Sequence, residues 1–272
     1  MRHRRCSLAP RSLLGLAVLL CGGLVPPALA GCGRPVVVPA APTGRLVIVE
    51  GERVRGAMPE LLRELGRSIG CEFVFPVLPR ARANLEVIEQ GRMDILVPAG
   101  RNSQRDAAAQ FVPLMREQVA LVVHRSDQAK APASVAELRD GSAWRGALVR
   151  SYAFSDEYRG LVDALRAQQR ADLVPDPASA LRMLHAGRVQ FSLLPPSSLQ
   201  DAGGQWRPGL QLLPLEGLPA MEFGVYLSRK SLPEADRRLI ADALQKAVRD
   251  GRVRAVLLRH FPAELLDWMP PR

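Results

Sequence analysis

The feature of this sequence that limits its fold most is a regular alternation of strand-like and helix-like segments. The β-branched run at residues 45–49 predicts a buried strand, and the apolar residues after it recur three and four positions apart until Gly70, as in an amphipathic helix. Further strand-like runs at 71–77 and 93–97 flank a second predicted helix over 82–90. This βαβαβ order favours an α/β fold with mostly parallel sheets covered by helices.

The second half of the chain repeats the same order of elements. A strand-like run at 146–150 is followed by a helix that Ser155 opens, and residues 181–191 match residues 85–95 at an offset of 96 positions. In both stretches two aliphatic residues three positions apart lead through Gly-Arg into an apolar strand. The repeat predicts a duplicated topology with two α/β lobes.

The N-terminus predicts an export signal. Residues 1–11 carry four arginines and no acid, and the apolar run at 12–25 is too short to span a bilayer. We therefore expect residues 1–31 to be a signal peptide that directs the chain to the periplasm. Two processing sites are open, because residues 28–30 (Ala-Leu-Ala) suit an ordinary signal peptidase and residues 29–32 (Leu-Ala-Gly-Cys) resemble a lipoprotein lipobox. No later segment is apolar enough to be expected to cross a membrane.

Two cysteines remain once the signal is removed, and they have two alternative fates. In the oxidising periplasm Cys32 and Cys71 are able to form a disulfide. If the lipobox is used instead, Cys32 carries the lipid and Cys71 stays a single thiol. Residues 32–43, which are rich in proline and small side chains, are expected to form a linker in either case.

The net charge of the chain and its distribution indicate which classes of partner to expect. The net charge is +10, and removing the signal with its four arginines lowers it to +6. The remaining basic residues are spread along the chain without a compact block or an aromatic–basic pattern, so we expect no nucleic-acid partner. A positive field of this kind attracts a small anion or the anionic face of a membrane.

Four short motifs occur in order through the first half of the chain. They are a P-x-x-R segment, a helix that ends G-x-x-D, a segment in place of T-x-x-R, and a segment in place of F-x-x-P: Pro79–Arg82, Ile88–Asp94, Asn102–Arg105 and Phe111–Leu114. With a returning strand at 223–227 and a long helix at 231–251, they resemble the extracellular solute-binding protein family 3. The resemblance spans residues 45–262.

This resemblance implies a type II periplasmic-binding-protein fold, in which two α/β lobes joined by two crossing segments close over a solute. Lobe 1 is then expected to comprise residues 44–120 and 224–272, and lobe 2 residues 121–223. The crossings are expected near Leu121–Arg125 and Met221–Tyr226.

The same resemblance implies ligand contacts in lobe 1. Arg105 occupies the family position whose guanidinium clamps a ligand carboxylate with two parallel hydrogen bonds. Ser103 and Asn102 stand beside it as hydrogen-bond donors, with Asn102 in place of the family's threonine. Arg82 is expected to line the cleft.

In lobe 2 the expected contacts follow the strand at 146–150, where family members place small hydroxyl residues at a helix start. Ser151 and Tyr152 are the predicted donors, and Arg150 adds a second cation. The resemblance places the family's acid for a ligand ammonium on or next to Pro195, where this sequence has no acid. An anion without an amine is therefore at least as well supported as an amino acid.

Residues 50–53 (Glu-Gly-Glu-Arg) take the place of the aromatic segment that stacks on ligands in the family. Either of the two glutamates is a candidate for a negative charge from lobe 1. The solute class therefore stays open between an amino acid and an organic acid.

Patterns that carry catalytic chemistry are missing from the sequence. His124, His185 and His260 are isolated, and no metal-ligand spacing or cysteine cluster occurs. Nor is there a nucleophile, phosphate-loop or dinucleotide motif. We therefore expect no enzyme activity, no metal and no cofactor.

The expected function is that of a monomeric periplasmic protein that captures a small anionic solute and delivers it to an inner-membrane ABC permease. The alternative is an accessory or sensory binding module that serves a partner other than a transporter. A remote alternative is a periplasmic dehydratase on the same fold, because fold alone does not settle function.

Overall fold

The computed structural model describes four stretches of the chain: 31–150, 152, 154–199 and 209–270. The predicted signal peptide up to residue 30 and the predicted donor Ser151 lie outside these residues. No helix in the described stretches is both long and apolar enough to cross a membrane.

Strands and helices alternate along most of the described chain. The strands are β1 (Val36–Val37), β2 (Ile48–Glu50), β3 (Arg53–Arg55), β4 (Phe73–Val74), β5 (Ile95–Gly100), β6 (Ala109–Glu117), β7 (Ala120–His124), β8 (Gly146–Val149), β9 (Ala171–Val174), β10 (Phe191–Leu194), β11 (Leu210–Leu213) and β12 (Met221–Ser228). The α-helices are α1 (Ala57–Ile69), α2 (Arg80–Asn84), α3 (Ser103–Ala108), α4 (Asp156–Ala167), α5 (Pro177–His185), α6 (Glu234–Arg249), α7 (Arg252–His260) and α8 (Ala263–Leu266). Helix α2 continues as a π-helical turn, Leu85–Glu89.

The first lobe is built on an antiparallel sheet in the order β5–β12–β6. Strand β12 lies in the middle and pairs along the whole of β6, from Met221 opposite Glu117 to Ser228 opposite Ala109. Helices α1, α6 and α7 pack against one another, and α6 also contacts β6 and β12. The parallel pair β1–β4 and the hairpin β2–β3 complete this lobe.

The second lobe is built on a five-stranded sheet in the order β11–β7–β10–β8–β9. Its central strand β10 is antiparallel to β7 and parallel to β8, and β8 is parallel to β9. Helix α5 contacts β8 and β10, and helix α4 contacts β9. All four residues of both β8 and β10 are buried, as strands covered on two faces must be.

The predicted α/β class is confirmed, but the prediction of mostly parallel sheets is wrong for lobe 1. Strand β12 returns from the second lobe and enters the sheet between β5 and β6, so it runs opposite to both. A strand that joins from a distant part of the chain leaves no trace in the local βαβ alternation. Parallel pairing is found in β1–β4 and in β10–β8–β9.

The segment predicted as a linker belongs to lobe 1. Strand β1 lies within it, and Val36, Val38 and Ala40 are at most 2% exposed. The neighbouring prolines suggested a solvated linker, but three consecutive valines favour a buried strand. The predicted strand at 45–49 is correspondingly displaced to β2, an edge of a short hairpin.

Of the two predicted fates of Cys32, the structure contains the disulfide with Cys71, with a Cα–Cα distance of 4.8 Å. The bond ties the residues before β1 to the segment between α1 and β4. It therefore fixes the start of the described chain to lobe 1.

The predicted repeat of helix, glycine and strand occurs in both lobes. Gly91 follows the π-helical turn before β5, and Gly187 follows α5 before β10. Their φ angles of 62° and 65° lie in the left-handed region, where glycine has no steric penalty. Glycine therefore ends the helix in both halves, as the sequence pattern indicates.

The chain passes between the lobes at residues 118–119 and again at residues 219–220. The predicted crossing at Leu121–Arg125 is instead mostly strand β7 of lobe 2, and Met221–Tyr226 belongs to β12 of lobe 1. The crossing points are displaced because both predicted segments are paired strands in a sheet; two residues connect β6 to β7, and seven connect β11 to β12.

Candidate functional site

A cleft of about 360 Å³ opens between the two lobes beside the second crossing. Lobe 1 lines it with residues that follow β5, lobe 2 with residues that precede α4, and the crossing with residues around the start of β12: Arg101, Asn102, Ser103, Asp106, Phe154, Ser155, Pro219, Ala220, Met221 and Glu222. Two of the predicted ligand residues, Asn102 and Ser103, are among them.

Asn102 and Ser103 stand at the start of α3. The Asn102 side-chain oxygen accepts a hydrogen bond from the backbone N–H of Arg105 at 2.8 Å and so caps the helix. The backbone N–H of Asn102 donates to the Tyr226 hydroxyl at 3.0 Å. Ser103 is exposed on the cleft wall. Of the two residues, Ser103 is therefore better placed to donate to a ligand.

Arg101 occupies the cleft with two carboxylates already bound to it. Its guanidinium donates to Asp106 at 2.9 Å and to Glu222 at 3.1 Å. These hydrogen bonds raise the pKa of Arg101 above its ordinary value. Asp106 also accepts a hydrogen bond from the Tyr226 hydroxyl at 2.8 Å. The cleft acids are thus held by groups of the protein itself.

Arg105 lies partly buried next to the end of β5. Its Nε donates to the Asn84 side-chain oxygen at 3.0 Å, and its Nη1 donates to the Gly100 carbonyl at 2.9 Å. Burial lowers the pKa of this guanidinium. The predicted anion-binding arginine is therefore held in place by neutral oxygens, and it is not among the residues that line the cleft.

Arg80 is a second arginine of this kind, and sequence reasoning missed it. Its guanidinium donates to the Pro98 carbonyl on the same strand β5. Burial, together with the nearby charge of Arg105, lowers the pKa of Arg80 to about 10. Within the described stretches neither Arg80 nor Arg105 forms an ion pair, because the oxygens that they contact are carbonyl and amide oxygens.

Arg82, the arginine predicted to line the cleft, forms an ion pair with Glu86 at 2.5 Å and is 52% exposed. Residues two apart on a helix point about 200° away from each other, so only one of Arg80 and Arg82 can face the sheet. Arg80 shares its face with the buried Ala83 and Val87, three and seven positions on. That spacing is the sequence signal that identifies Arg80.

The lobe 2 residues predicted as donors are only partly in the cleft. Tyr152 is partly buried with its ring 4.7 Å from that of Phe154, and burial raises its pKa to about 12. Phe154 and Ser155, which sequence reasoning missed, supply the lobe 2 wall. Arg150 is exposed beyond the end of β8 and is not part of the cleft lining.

No family model matches the sequence, and no curated protein sequence does either. Solved structures do match. A histidine kinase sensor domain with similarity to periplasmic binding proteins aligns with a TM-score of 0.64 and 18% identity over 84% of this chain and 96% of its own. An amino acid ABC transporter substrate-binding protein from Streptococcus pneumoniae, bound to L-arginine, gives 0.64 and 16% over 84% and 94%. The GluR0 ligand-binding core with L-glutamate gives 0.66 and 16% over 85% and 100%.

This chain has the type II periplasmic-binding-protein fold. At identities of 14–20%, the likeness shows the fold alone. The cleft described above lies where the two lobes of this fold face each other, which is the usual place for a ligand between two lobes.

In this periplasmic-binding-protein fold, the loop after β10 carries a proline at the position predicted for an ammonium-binding acid. Pro195 is buried, and the carboxylate that reaches this loop comes from Glu117 at the end of β6. Glu117 is fully buried and accepts hydrogen bonds from the backbone N–H and the hydroxyl of Ser197 at 2.6 and 2.9 Å. Burial raises its pKa to about 7. Glu117 thus connects the lobes at the first crossing.

Of the two glutamates considered for lobe 1, Glu50 ends strand β2 and Glu52 lies in the turn that follows, and both are exposed. Glu50 forms an ion pair with Arg55, so it is not a free charge. Of the three histidines, His260 bonds to Glu60 at 2.5 Å and His124 to Ser126 at 2.8 Å. Among the described residues no group of three or more His, Cys, Asp or Glu side chains is arranged to hold a metal ion.

Proposed function

We propose that this protein binds a small anionic solute between its lobes and performs no chemistry on it. The observation that carries the proposal is the pair Arg80 and Arg105, two shielded guanidiniums at the end of β5 whose hydrogen bonds within the described residues all go to neutral oxygens. A cation left without a counter-charge is costly. An anionic ligand supplies that counter-charge and gains charge-assisted hydrogen bonds.

The structural neighbours support a carboxylate contact but not a net negative charge on the solute, since one of them is bound to the cationic amino acid L-arginine. L-Arginine and L-glutamate, the ligands named for two of them, both carry a carboxylate. By the same comparison, delivery to an inner-membrane ABC permease is the favoured use of the bound solute. The Cys32–Cys71 disulfide supports the oxidising periplasm as the location. We propose a monomer, exported by the signal peptide, as the working form.

A sensory role is the second candidate. The observation that favours it is the match to a histidine kinase sensor domain, which covers 96% of that domain. The two roles share the binding step and differ only in the protein that recognises the closed form. The dehydratase alternative gains no support, since the buried carboxylate near the crossing, Glu117, is already engaged by Ser197.

The test is thermal unfolding and calorimetry of the mature protein with a panel of amino acids, organic acids and phosphate. A ligand at a hundred times its Kd stabilises the protein by about 2.7 kcal/mol. Arg105→Gln is expected to weaken binding of the active compound by about 2–5 kcal/mol. Arg67→Gln, which removes the same charge from an exposed position on α1, is the matched control. Equal affinity in wild type and Arg105→Gln contradicts the proposal.

A further inference from the structure

Arg80 and Arg105 are directed to the same edge of one strand. They donate to the carbonyls of Pro98 and Gly100, respectively, which are two residues apart on β5. Carbonyls at this spacing point to the same side and lie about 7 Å apart. The other edge of β5 is occupied by β12, where the Arg101 N–H donates to the Glu222 carbonyl. The two guanidiniums therefore lie side by side along the free edge.

Of the acids on the helical segments that carry these arginines, the two that are at least partly buried, Glu86 and Asp106, are paired with other arginines. Glu86, in the π-helical turn after α2, pairs with Arg82 and with Arg92 at 2.5 Å each. Asp106 on α3 pairs with Arg101 at 2.9 Å. The pair Arg80–Arg105 thus presents two positive charges, of which a singly charged ligand neutralises only one.

The carboxylates that line the cleft leave no obvious place for a ligand ammonium. Asp106 and Glu222 both accept from Arg101, and Asp106 accepts from Tyr226 as well. An amine-bearing ligand would have to displace an internal ion pair, with loss of its hydrogen bonds.

We propose that Arg80 and Arg105 together form a site for a small amine-free dianion, such as a short dicarboxylate. The inference rests on the proposed binding function and narrows it from any anion to solutes with two negative charges. Arg105 alone is enough to hold one carboxylate. Arg80 is the residue that sets the preference for a second charge.

The experiment is calorimetric titration of the mature protein with matched pairs of solutes. Succinate and butyrate differ by one carboxylate, glutarate and L-glutamate differ by one amine, and phosphate tests a compact dianion. We expect a dianion to bind at least about tenfold more tightly than butyrate. In Arg80→Gln, dianion affinity is expected to fall by about tenfold or more, and by clearly more than butyrate affinity does. Arg80→Lys, which restores the charge, is expected to recover part of the loss.

The outcomes separate this inference from the proposed function. If Arg105→Gln removes binding of monoanions and dianions while Arg80→Gln changes neither, the anion-binding function stands and the two-arginine site is wrong. Butyrate binding as tightly as succinate, or L-glutamate binding more tightly than glutarate, also overturns the dianion site. Failure of every dianion to bind overturns it as well. Unfolding of Arg80→Gln monitored by circular dichroism shows whether a loss reflects the site or the fold.

Discussion

Two buried carboxylates, Asp94 and Glu117, lie in opposite environments within lobe 1. Asp94 is 1% exposed and accepts hydrogen bonds from the Arg34 guanidinium at 2.7 and 2.8 Å and from the Val37 N–H at 2.8 Å. Burial raises its pKa, but these hydrogen bonds outweigh burial and the net pKa is lowered. Among the residues that the structure describes, Glu117 receives hydrogen bonds only from Ser197, and burial raises its pKa to about 7.

The two carboxylates represent two kinds of buried charge, one that stabilises the fold and one that lies near the candidate site. The Asp94–Arg34 pair fastens the chain around β1 to the start of β5. Glu117, Arg80 and Arg105, whose hydrogen-bond partners are neutral, lie instead at the lobe crossing and at the end of β5. Strongly perturbed groups of this kind cluster at functional sites.

The largest effect is expected from breaking the paired site. Asp94→Asn leaves Arg34 without its carboxylate partner and weakens the contact with the Val37 N–H. The free energy of unfolding is expected to fall by about 3 kcal/mol, through the loss of charge-assisted hydrogen bonds to a buried carboxylate, as measured by urea denaturation. Asp156→Asn, at an exposed ion pair on α4, is the control and is expected to cost less than about 1 kcal/mol. Equal losses in the free energy of unfolding for the two variants would mean that the buried Asp94 ion pair stabilises the fold no more than the exposed pair on α4.

The next effect concerns the pH dependence of Glu117. Its pKa is raised from 4.5 to about 7 in the folded protein. Because the folded state holds the proton more tightly than the unfolded chain, ionisation destabilises the fold. Stability is therefore expected to decline by up to about 3 kcal/mol as the pH rises from about 4.5 to 7, and to level off above.

Glu117→Gln cannot ionise and removes this decline. Unfolding of both proteins between pH 5 and 8 measures the difference, which is expected to grow with pH in favour of the variant. A difference that stays constant over this range would mean that Glu117 does not titrate there.

The smallest change in the free energy of unfolding is expected from substituting the two arginines of α2. Arg82→Gln removes an exposed ion pair with Glu86 and is expected to cost less than about 1 kcal/mol. Arg80→Gln removes a shielded cation that has no acidic partner among the described residues, so the free energy of unfolding is expected to stay the same or rise by about 1 kcal/mol. Thermal unfolding of both variants at pH 7 measures the contrast. A larger stability loss for Arg80→Gln than for Arg82→Gln would make Arg80 a structural residue.

Much of the fold was predictable from sequence because it depends on local patterns. The apolar spacing before Gly70 predicts α1, and the glycine-ended helices predict the two repeated units. The family resemblance predicted that the strand at 223–227 returns to lobe 1, but its antiparallel insertion between β5 and β6 was not predictable from local patterns, because it depends on a pairing between segments more than a hundred residues apart. The valines of β1 were misjudged for a similar reason, since only their partner β4 makes them a strand.

The candidate site was predictable only in part. Asn102 and Ser103 follow a strand end and do reach the cleft, and Arg105 lies one turn further along α3. Phe154 lies in a loop and Glu117 lies at the end of a strand. Neither segment carries a recognisable motif. To identify Arg80 and not Arg82 as the site arginine, one has to know which face of α2 packs on the sheet. The motif Pro79–Arg82 alone does not show this.

The central claim is that the guanidinium of Arg105, beside Arg80, holds an anionic solute. Native mass spectrometry of the protein purified gently from the periplasm tests it directly, because the method detects whichever solute the protein carries. We predict that the wild-type protein carries a small acidic molecule that is lost on mild activation and is missing from Arg105→Gln. A wild-type protein and an Arg105→Gln variant that retain the same bound molecule in the same amount would contradict the account.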